Sequence, residues 1–232
     1  MSKSNTTNGK LSVFGAKPAD AIMVPDMPLA VRNNCQAGKW IIGDAEYGSK
    51  LSMTIIKFSK FFGTLGQTSN TLWGQIWFIA ESGELPKGVV MVTYIKGRSL
   101  QDFSRLVATV QSRGIEPAEG IFIPEFTKHS GQKPDENGVP KPINYYSLAW
   151  NWVERAQEQM ATLNQAVAAL NDNTMLARLL DLDGTKQMVC LDNMPSEEIA
   201  ALLGAYSTGI ERASSPAALG MGENSFNETL NG

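Results

Sequence analysis

Cysteine and histidine are nearly missing from this chain, and their scarcity excludes more chemistry than any motif suggests. The cysteines are Cys35 and Cys190, and the single histidine is His129. Two cysteines so far apart supply neither a metal-ligand spacing nor a disulfide framework, and they read as free thiols of a reducing compartment. One histidine leaves a zinc site or a histidine-activated nucleophile short of parts. The phosphate loop GxxxxGK[ST], the dinucleotide loop GxGxxG, the GxSxG elbow and the HExxH pair are all absent. Asp181 and Asp183 in LLDLDGT lack the other ligands of a calcium loop and read as an exposed turn. The longest apolar run, around Gly88 to Ile95, falls far short of the ~20 residues that span a bilayer. The opening MSKSNTTNGK has no apolar stretch of a secretory signal, so Asn5-Thr6-Thr7 and Asn227-Glu228-Thr229 match glycosylation acceptors by chance. These absences point away from enzymes, metal or cofactor carriers, and membrane or exported proteins. They leave a cytoplasmic binding protein.

What is present suits a folded domain. Hydrophobic residues make up 43% of the 232 residues and charged ones 19%, enough apolar material to bury a core. The net charge of -3 is unevenly spread. Residues 1–38 hold four basic and two acidic side chains, 39–155 hold thirteen and eleven, and 156–232 hold three and ten. A mildly basic body followed by an acidic segment can bind a polyanion on one part and stay soluble through the other.

The pattern along the chain divides it into four segments. Residues 1–37, rich in Asn, Ser, Thr and Pro, read as a flexible or irregular N-terminal arm. Residues 38–155 are strand-dense. Lys39–Tyr47 predicts a short strand and Leu51–Phe62 a long one, in which Leu51, Met53 and Ile55 alternate before the apolar phase changes at Ile56. A change of phase within one strand predicts a bulge. Trp73–Ala80 and Gly88–Lys96 flank the turn residues Gly83 and Pro86 and predict a hairpin. A helix follows, with Ser99 as its cap, Leu100, Phe103, Leu106, Val107 and Val110 on one face, and Gly114 at its end. Gly120–His129 and Ile143–Val153 predict two more strands around a long polar loop containing Lys133 and Lys141. Residues 156–213 form a helical, acidic segment. In it Ala156, Met160, Leu163, Val167 and Leu170 make a short heptad seam that packs on the body, on a following helix, or on a second copy. Asn173–Leu182 and Ser196–Tyr206 predict shorter helices, and 214–232 a disordered tail.

The order strand, long coiled strand, hairpin, helix, two strands is the plan of a five-stranded OB-like Greek-key barrel with a helix between strands 3 and 4. The segments KWIIGD, LSMTIIKFSKFFG, SLQDFSRLVATVQSRG and IFIPEFTKHSG…NYYSLAWNW resemble OB-fold single-stranded-DNA-binding proteins of bacterial, phage or plasmid type. That resemblance covers about half the chain. It implies a mainly β barrel followed by C-terminal helices, and a replication, recombination or repair accessory role. Many such proteins end in an acidic tip closing on an apolar residue; here the end is SFNETLNG.

Sequence-tolerant binding of single strands needs cations to track phosphates and flat rings to stack bases. The two residue types interleave at Lys57-Phe58-Ser59-Lys60-Phe61-Phe62, at Tyr94-Ile95-Lys96-Gly97-Arg98 and at Phe126-Thr127-Lys128. Period two puts Trp73 and Trp77 on one face, and Tyr146, Trp150 and Trp152 on one face. Trp77 and Trp150 sit inside apolar runs and read as core; Phe58, Phe62 and Trp73 adjoin lysines or loops and read as platforms. The expected nucleic-acid site is therefore Lys57, Phe58, Lys60, Phe62, Trp73, Lys96, Arg98, Phe126 and Lys128, with single-stranded DNA favoured over RNA and no cofactor or metal. Two simpler readings stand beside it: rings as core, and lysines as solvated charges that blunt strand edges. They belong to a rival function, a structural or assembly protein of phage or plasmid origin. Self-association through the 156–170 helix fits either function.

Overall fold

A computed structural model describes residues 22–213 except 26, 136–137, 173, 175–177, 179 and 181–186. The expected arm to Lys10, the tail from Ser214, the Asp181–Asp183 turn and most of the Asn173–Leu182 helix lie outside the described residues.

Ten strands and three helices are described: β1 (Leu29–Ala30), β2 (Arg32–Asn34), β3 (Lys39–Ile42), β4 (Ala45–Tyr47), β5 (Leu51–Leu65), β6 (Thr68–Gly83), β7 (Val90–Lys96), α1 (Gly97–Gln111), β8 (Ile121–Pro134), β9 (Pro140–Val153), α2 (Met160–Asp172), β10 (Met188–Cys190) and α3 (Ser196–Ala213). Seven strands form one sheet in the order β1-β7-β6-β5-β8-β9, with β10 also on β5, and β2-β3-β4 form a second, smaller sheet.

The large sheet is open, which corrects the expected five-stranded barrel. Closure would require the edge strands β9 and β1 to pair, and other groups meet the outer edge of β9. The Tyr146 amide donates to the Cys35 carbonyl at 2.7 Å and the Leu148 amide to Ser99 Oγ at 2.9 Å. The Trp150 indole donates to the Ser99 carbonyl at 3.0 Å. Helix α1 and the turn after β2 thus take up hydrogen-bonding groups of β9 that barrel closure would use. The same contacts revise the expected cap: α1 begins at Gly97 with no side-chain cap, and the buried Ser99 hydroxyl serves β9 instead.

Other elements differ more mildly. Lys39–Tyr47 is a hairpin of β3 and β4, turned at Gly43, whose φ of +58° suits glycine. Residues 22–37, expected as irregular, contribute β1 and β2. The expected polar loop 130–142 is largely strand: β8 and β9 stay paired from Ile121↔Val153 out to Pro134↔Pro140, a long two-stranded arm. The 156–170 helix starts at Met160, after a 3-10 turn at Gln157–Gln159.

The bulge expected at Ile56 is present, because the β5–β6 register shifts between Ile55 and Lys57. Its effect shows in the core. Before the bulge Leu51, Met53 and Ile55 face the main cluster with Trp40, Phe78, Phe103 and Leu148; after it, Phe58 faces that cluster. Ile56 turns to the opposite face, against Trp77, Ile79, Val90, Val92, Ala166 of α2 and Leu180. Alternation alone gives Ile56 to the second core, and the extra residue brings Phe58, out of step with Leu51, Met53 and Ile55, back to the first. β6 is buried on both faces from Trp73 to Ala80, as a central strand covered on each side should be. Burial at ~25 cal/mol per Å² of apolar surface makes these clusters the main source of stability.

Arg155 ties the elements together. Its side chain is 1% exposed and forms an ion pair with Glu81 at 2.6 Å. It also donates to Thr54 Oγ1 at 2.8 Å, to the carbonyls of Gly120 and Gln159 at 3.0 and 3.2 Å, and to that of Glu119 at 3.4 Å. Thr54 Oγ1 in turn donates to Glu81. One guanidinium joins β5, β6, the turn before β8 and the start of α2, with its donors matched to acceptors as burial demands. Beside it the Trp152 ring lies where a Cβ on Gly120 would sit, so the closeness of this junction depends on glycine there.

Candidate functional site

The Lys57–Phe62 run does not build one surface. Strand alternation and the bulge send its members to both faces of the sheet. Lys57 Nζ donates to the Leu180 carbonyl at 2.8 Å, on the α2 side. Phe58, half-buried, packs on Phe103 at 4.8 Å between ring centres, against the main core. Lys60 is exposed, but its backbone is bracketed by the segment after β10: its amide donates to Asp192 and its carbonyl accepts from Leu191. Phe62 is buried, with β10 paired along β5 at this point through Val189↔Phe62. Sequence spacing could not show that a later strand covers this edge.

The other expected residues divide into two places. Phe126 is half-buried between Trp40 at 5.3 Å and Tyr146 at 6.4 Å. Lys128 is exposed on the β8–β9 arm. Arg98, at the start of α1, meets the arm through His129: its guanidinium lies 2.8 Å from Nδ1. A guanidinium has no acceptor, so Nδ1 accepts, and the imidazole Nε2–H then faces Ser147 Oγ at 2.8 Å. Tyr145 lies against the same imidazole, 5.2 Å between ring centres. Trp77 and Trp150 are buried.

Trp73 and Lys96 come together, and both line a cavity. Register places them opposite each other on β6 and β7. The Lys96 ammonium stands 5.0 Å from the centre of the Trp73 ring and donates to Thr68 Oγ1 at 2.6 Å. The indole N–H is spent on the Gly63 carbonyl at 3.3 Å. Both residues line a cleft of about 560 Å³, together with Pro28, Ala30, Val31, Arg32, Asn33, Cys35, Leu65, Gly66, Val92, Tyr94 and Ser99. Its rim includes the β5–β6 turn, where Gly66 has φ +59°.

The elements around the cleft explain its character. β1 adds to β7 in parallel and brings Ala30; Val31, between the strands, donates its amide to the Val92 carbonyl; β2 brings Arg32 and Asn33. Asn33 Nδ2 donates to the Tyr94 carbonyl at 2.7 Å and to Thr93 Oγ1 at 3.3 Å, which anchors β2 over β7. A buried polar chain runs behind the wall, from the Trp77 indole to Gln75 Oε1 and from Gln75 Nε2 to the Tyr94 hydroxyl, each 2.9 Å. Arg32 is exposed and has no ion-pair partner among the described residues. Partial burial holds the Lys96 ammonium below its ordinary 10.5, opposed by its attraction to Cys35. Burial likewise pushes the Cys35 thiol above 9.0, opposed by Lys96.

Two cations and the half-buried Tyr94 thus converge on one largely apolar cleft with Trp73, which is buried against Phe61 and Met188 and is not the exposed platform expected from its place beside a loop. Tyr94 was visible in the sequence beside Lys96. Arg32, Asn33 and Cys35 carried no periodic signal, because they come from a segment whose short strands depend on pairing with β7 and β3. No family model matches this chain, and no curated protein or solved structure matches it. No described helix is long and apolar enough to cross a membrane.

Proposed function

We propose that this protein binds single-stranded nucleic acid in a sequence-tolerant way, with DNA preferred, as a non-catalytic cytoplasmic accessory of replication, recombination or repair. The observation that carries this reading is the convergence of Arg32 and Lys96 with Trp73 and Tyr94 on one cleft. Cations there pair with phosphates while the half-buried Tyr94 ring and apolar side chains receive a base, the combination that single strands require. Arg98 and Lys128, on and beside the β8–β9 arm, extend the positive surface beyond it. The interface in this reading is the cleft and the base of the arm; the Lys57–Phe62 run is peripheral.

Affinity for a labelled oligo-dT, followed by fluorescence anisotropy from low to high salt, tests the reading. Binding falls steeply as salt rises, because neutralised phosphates release counterions. No binding at low salt, or salt-independent binding, overturns it.

A second reading is favoured by one observation: Phe62 and Trp73 are buried, Phe58 and Phe126 are packed against other rings, and α3 leaves Ile199, Leu202 and Leu203 half-exposed. In that reading the sheet and helices are a scaffold for contacts with other proteins or with a second copy. Sedimentation of the chain alone and with oligo-dT separates the two: a scaffold self-associates and ignores the oligonucleotide.

A further inference from the structure

The β8–β9 arm has two edges, and its prolines treat them differently. The direction of the backbone follows from β9. The Tyr146 amide donates to the Cys35 carbonyl and the Leu148 amide to Ser99 Oγ, so these residues point away from β8. Their partners across the ladder, Lys128 and Phe126, therefore point away from β9. The ladder runs without a register shift, so the even-numbered residues of β8 form its outer edge throughout. All the prolines of the two strands fall on such outward positions, Pro124 and Pro134 on β8 and Pro140 and Pro142 on β9. A missing N–H there costs no bond between β8 and β9. On β9 the prolines blunt the tip, and Cys35 and Ser99 take amides nearer the base. On β8 they stand at the two ends of a stretch with outward amides at Phe126, Lys128, Ser130 and Gln132. β8 meets β5 at Met53↔Phe122, and beyond that pair no strand lies beside its outer edge among the described residues. A long edge of this kind is a template for another strand.

The stretch is complementary to itself. A two-fold axis through His129 sets Phe126 against Gln132 of a second copy and Lys128 against Ser130 of that copy. Each of these pairs occurs twice, and two bonds per pair give roughly eight hydrogen bonds. In this register Pro124 falls opposite Pro134, so the ladder ends where both strands lack an N–H. Glu125 falls opposite Lys133, and no like charges face each other. An axis through Lys128 would set that lysine against its own copy, and one through Ser130 would set Pro134 against Phe126 and forfeit a bond. Where β8 leaves β5, the two strands splay around a cavity of about 480 Å³ lined by Ser49, Ser52, Pro124 and Glu125 among others. That space receives the tip of the other arm.

We infer that this chain forms a symmetric dimer by antiparallel pairing of β8 with β8 of a second copy, centred on His129. The surface lies outside the cleft and is distinct from the 156–170 helix, and the inference does not depend on nucleic-acid binding.

Sedimentation of the full chain over a concentration series, without oligonucleotide, tests it. The chain is expected to pass from monomer to dimer. Ser130→Pro removes an outward N–H twice by symmetry while sparing the β8–β9 ladder, and should weaken association roughly 10-fold or more with little change in Tm. Should that variant unfold, charge exchange still decides. Glu125→Lys should weaken association roughly 5-fold or more, and adding Lys133→Glu should restore it. The two positions are ~26 Å apart along one strand, so only a second copy can bring them together. Mild oxidation supplies the register. His129→Cys places two thiols opposite each other at the axis and should form a disulfide-linked dimer. Thr127→Cys, ~13 Å from its own copy in this register, should behave as the parent does. A chain that stays monomeric at every concentration overturns the inference. So do dimers that survive the arm variants, which place self-association elsewhere, a charge exchange that fails to restore, or cross-linking at 127 in place of 129.

Discussion

Arg155 and the pair Arg32 and Lys96 are the same kind of side chain put to opposite uses. Arg155 is sealed at a four-way junction with Glu81, Thr54 and three carbonyls around it. Arg32 and Lys96 are exposed at a cleft, one with no ion pair among the described residues and the other held by a hydroxyl and a ring. A cation that has left water must find its partners inside the protein, so it organises structure. A cation that keeps water and lacks a strong partner can exchange that water for a ligand's phosphate. Commitment, more than charge, separates the scaffold from the candidate site.

Removing Arg155 should have the largest effect. Arg155→Ala leaves Glu81 and Thr54 without their partner and is expected to destabilise by about 3–5 kcal/mol, a fall in Tm of roughly 6–20 °C. A thermal melt within a degree or two of the parent would break the contrast. Charge reversal at the cleft, Arg32→Glu with Lys96→Glu, is expected to leave Tm nearly unchanged. The same pair should weaken oligo-dT binding roughly 10-fold or more and lower the salt slope by about two. If Tm collapses instead, these cations are structural as well.

A pH series sharpens the comparison further. Burial lowers the Lys96 pKa, so its ammonium loses its proton, as pH rises, before an ordinary lysine would. Binding should therefore weaken by a few-fold in the alkaline range, and Lys96→Arg, which stays charged, should remove that step. Anisotropy across pH with both proteins decides it. The smallest effect is expected from Lys57→Glu with Lys60→Glu, about threefold or less on binding. These lysines lie by Leu180 and Asp192 and do not line the cleft. A loss as large as that of the Arg32 and Lys96 pair would move the site back to the run that looked best in the sequence.

That run shows where reading residues in a line fails. Lys57 to Phe62 interleaves cations and rings in sequence, yet a strand alternates its faces, and β10, more than a hundred residues later, pairs along Phe61–Gly63. The bulge at Ile56 was legible because the apolar phase changes there, and the β6–β7 hairpin because turn residues separate two apolar runs. The Trp73–Lys96 pair was half legible. Both residues were candidates, but their meeting depends on the cross-strand register. Arg32 and Asn33 were not legible, since nothing local distinguishes an arginine that rims a cleft from one on a plain surface.

Composition and periodicity by themselves determined the class of this protein: a mainly β body, one amphipathic helix between strand groups, helices after it, and an unequal spread of charge. Those features follow from local rules of alternation, turn chemistry and helix spacing, each expressed over a few neighbouring residues. Whether the sheet closed, which rings were sealed and which cations stayed exposed were decided only in the tertiary structure. Each of these depends on what arrives from far along the chain. Cys35 and Ser99 occupy the seam on β9, β10 covers the edge of β5, and Glu81 meets Arg155, and such long-range partners leave no periodic trace in sequence.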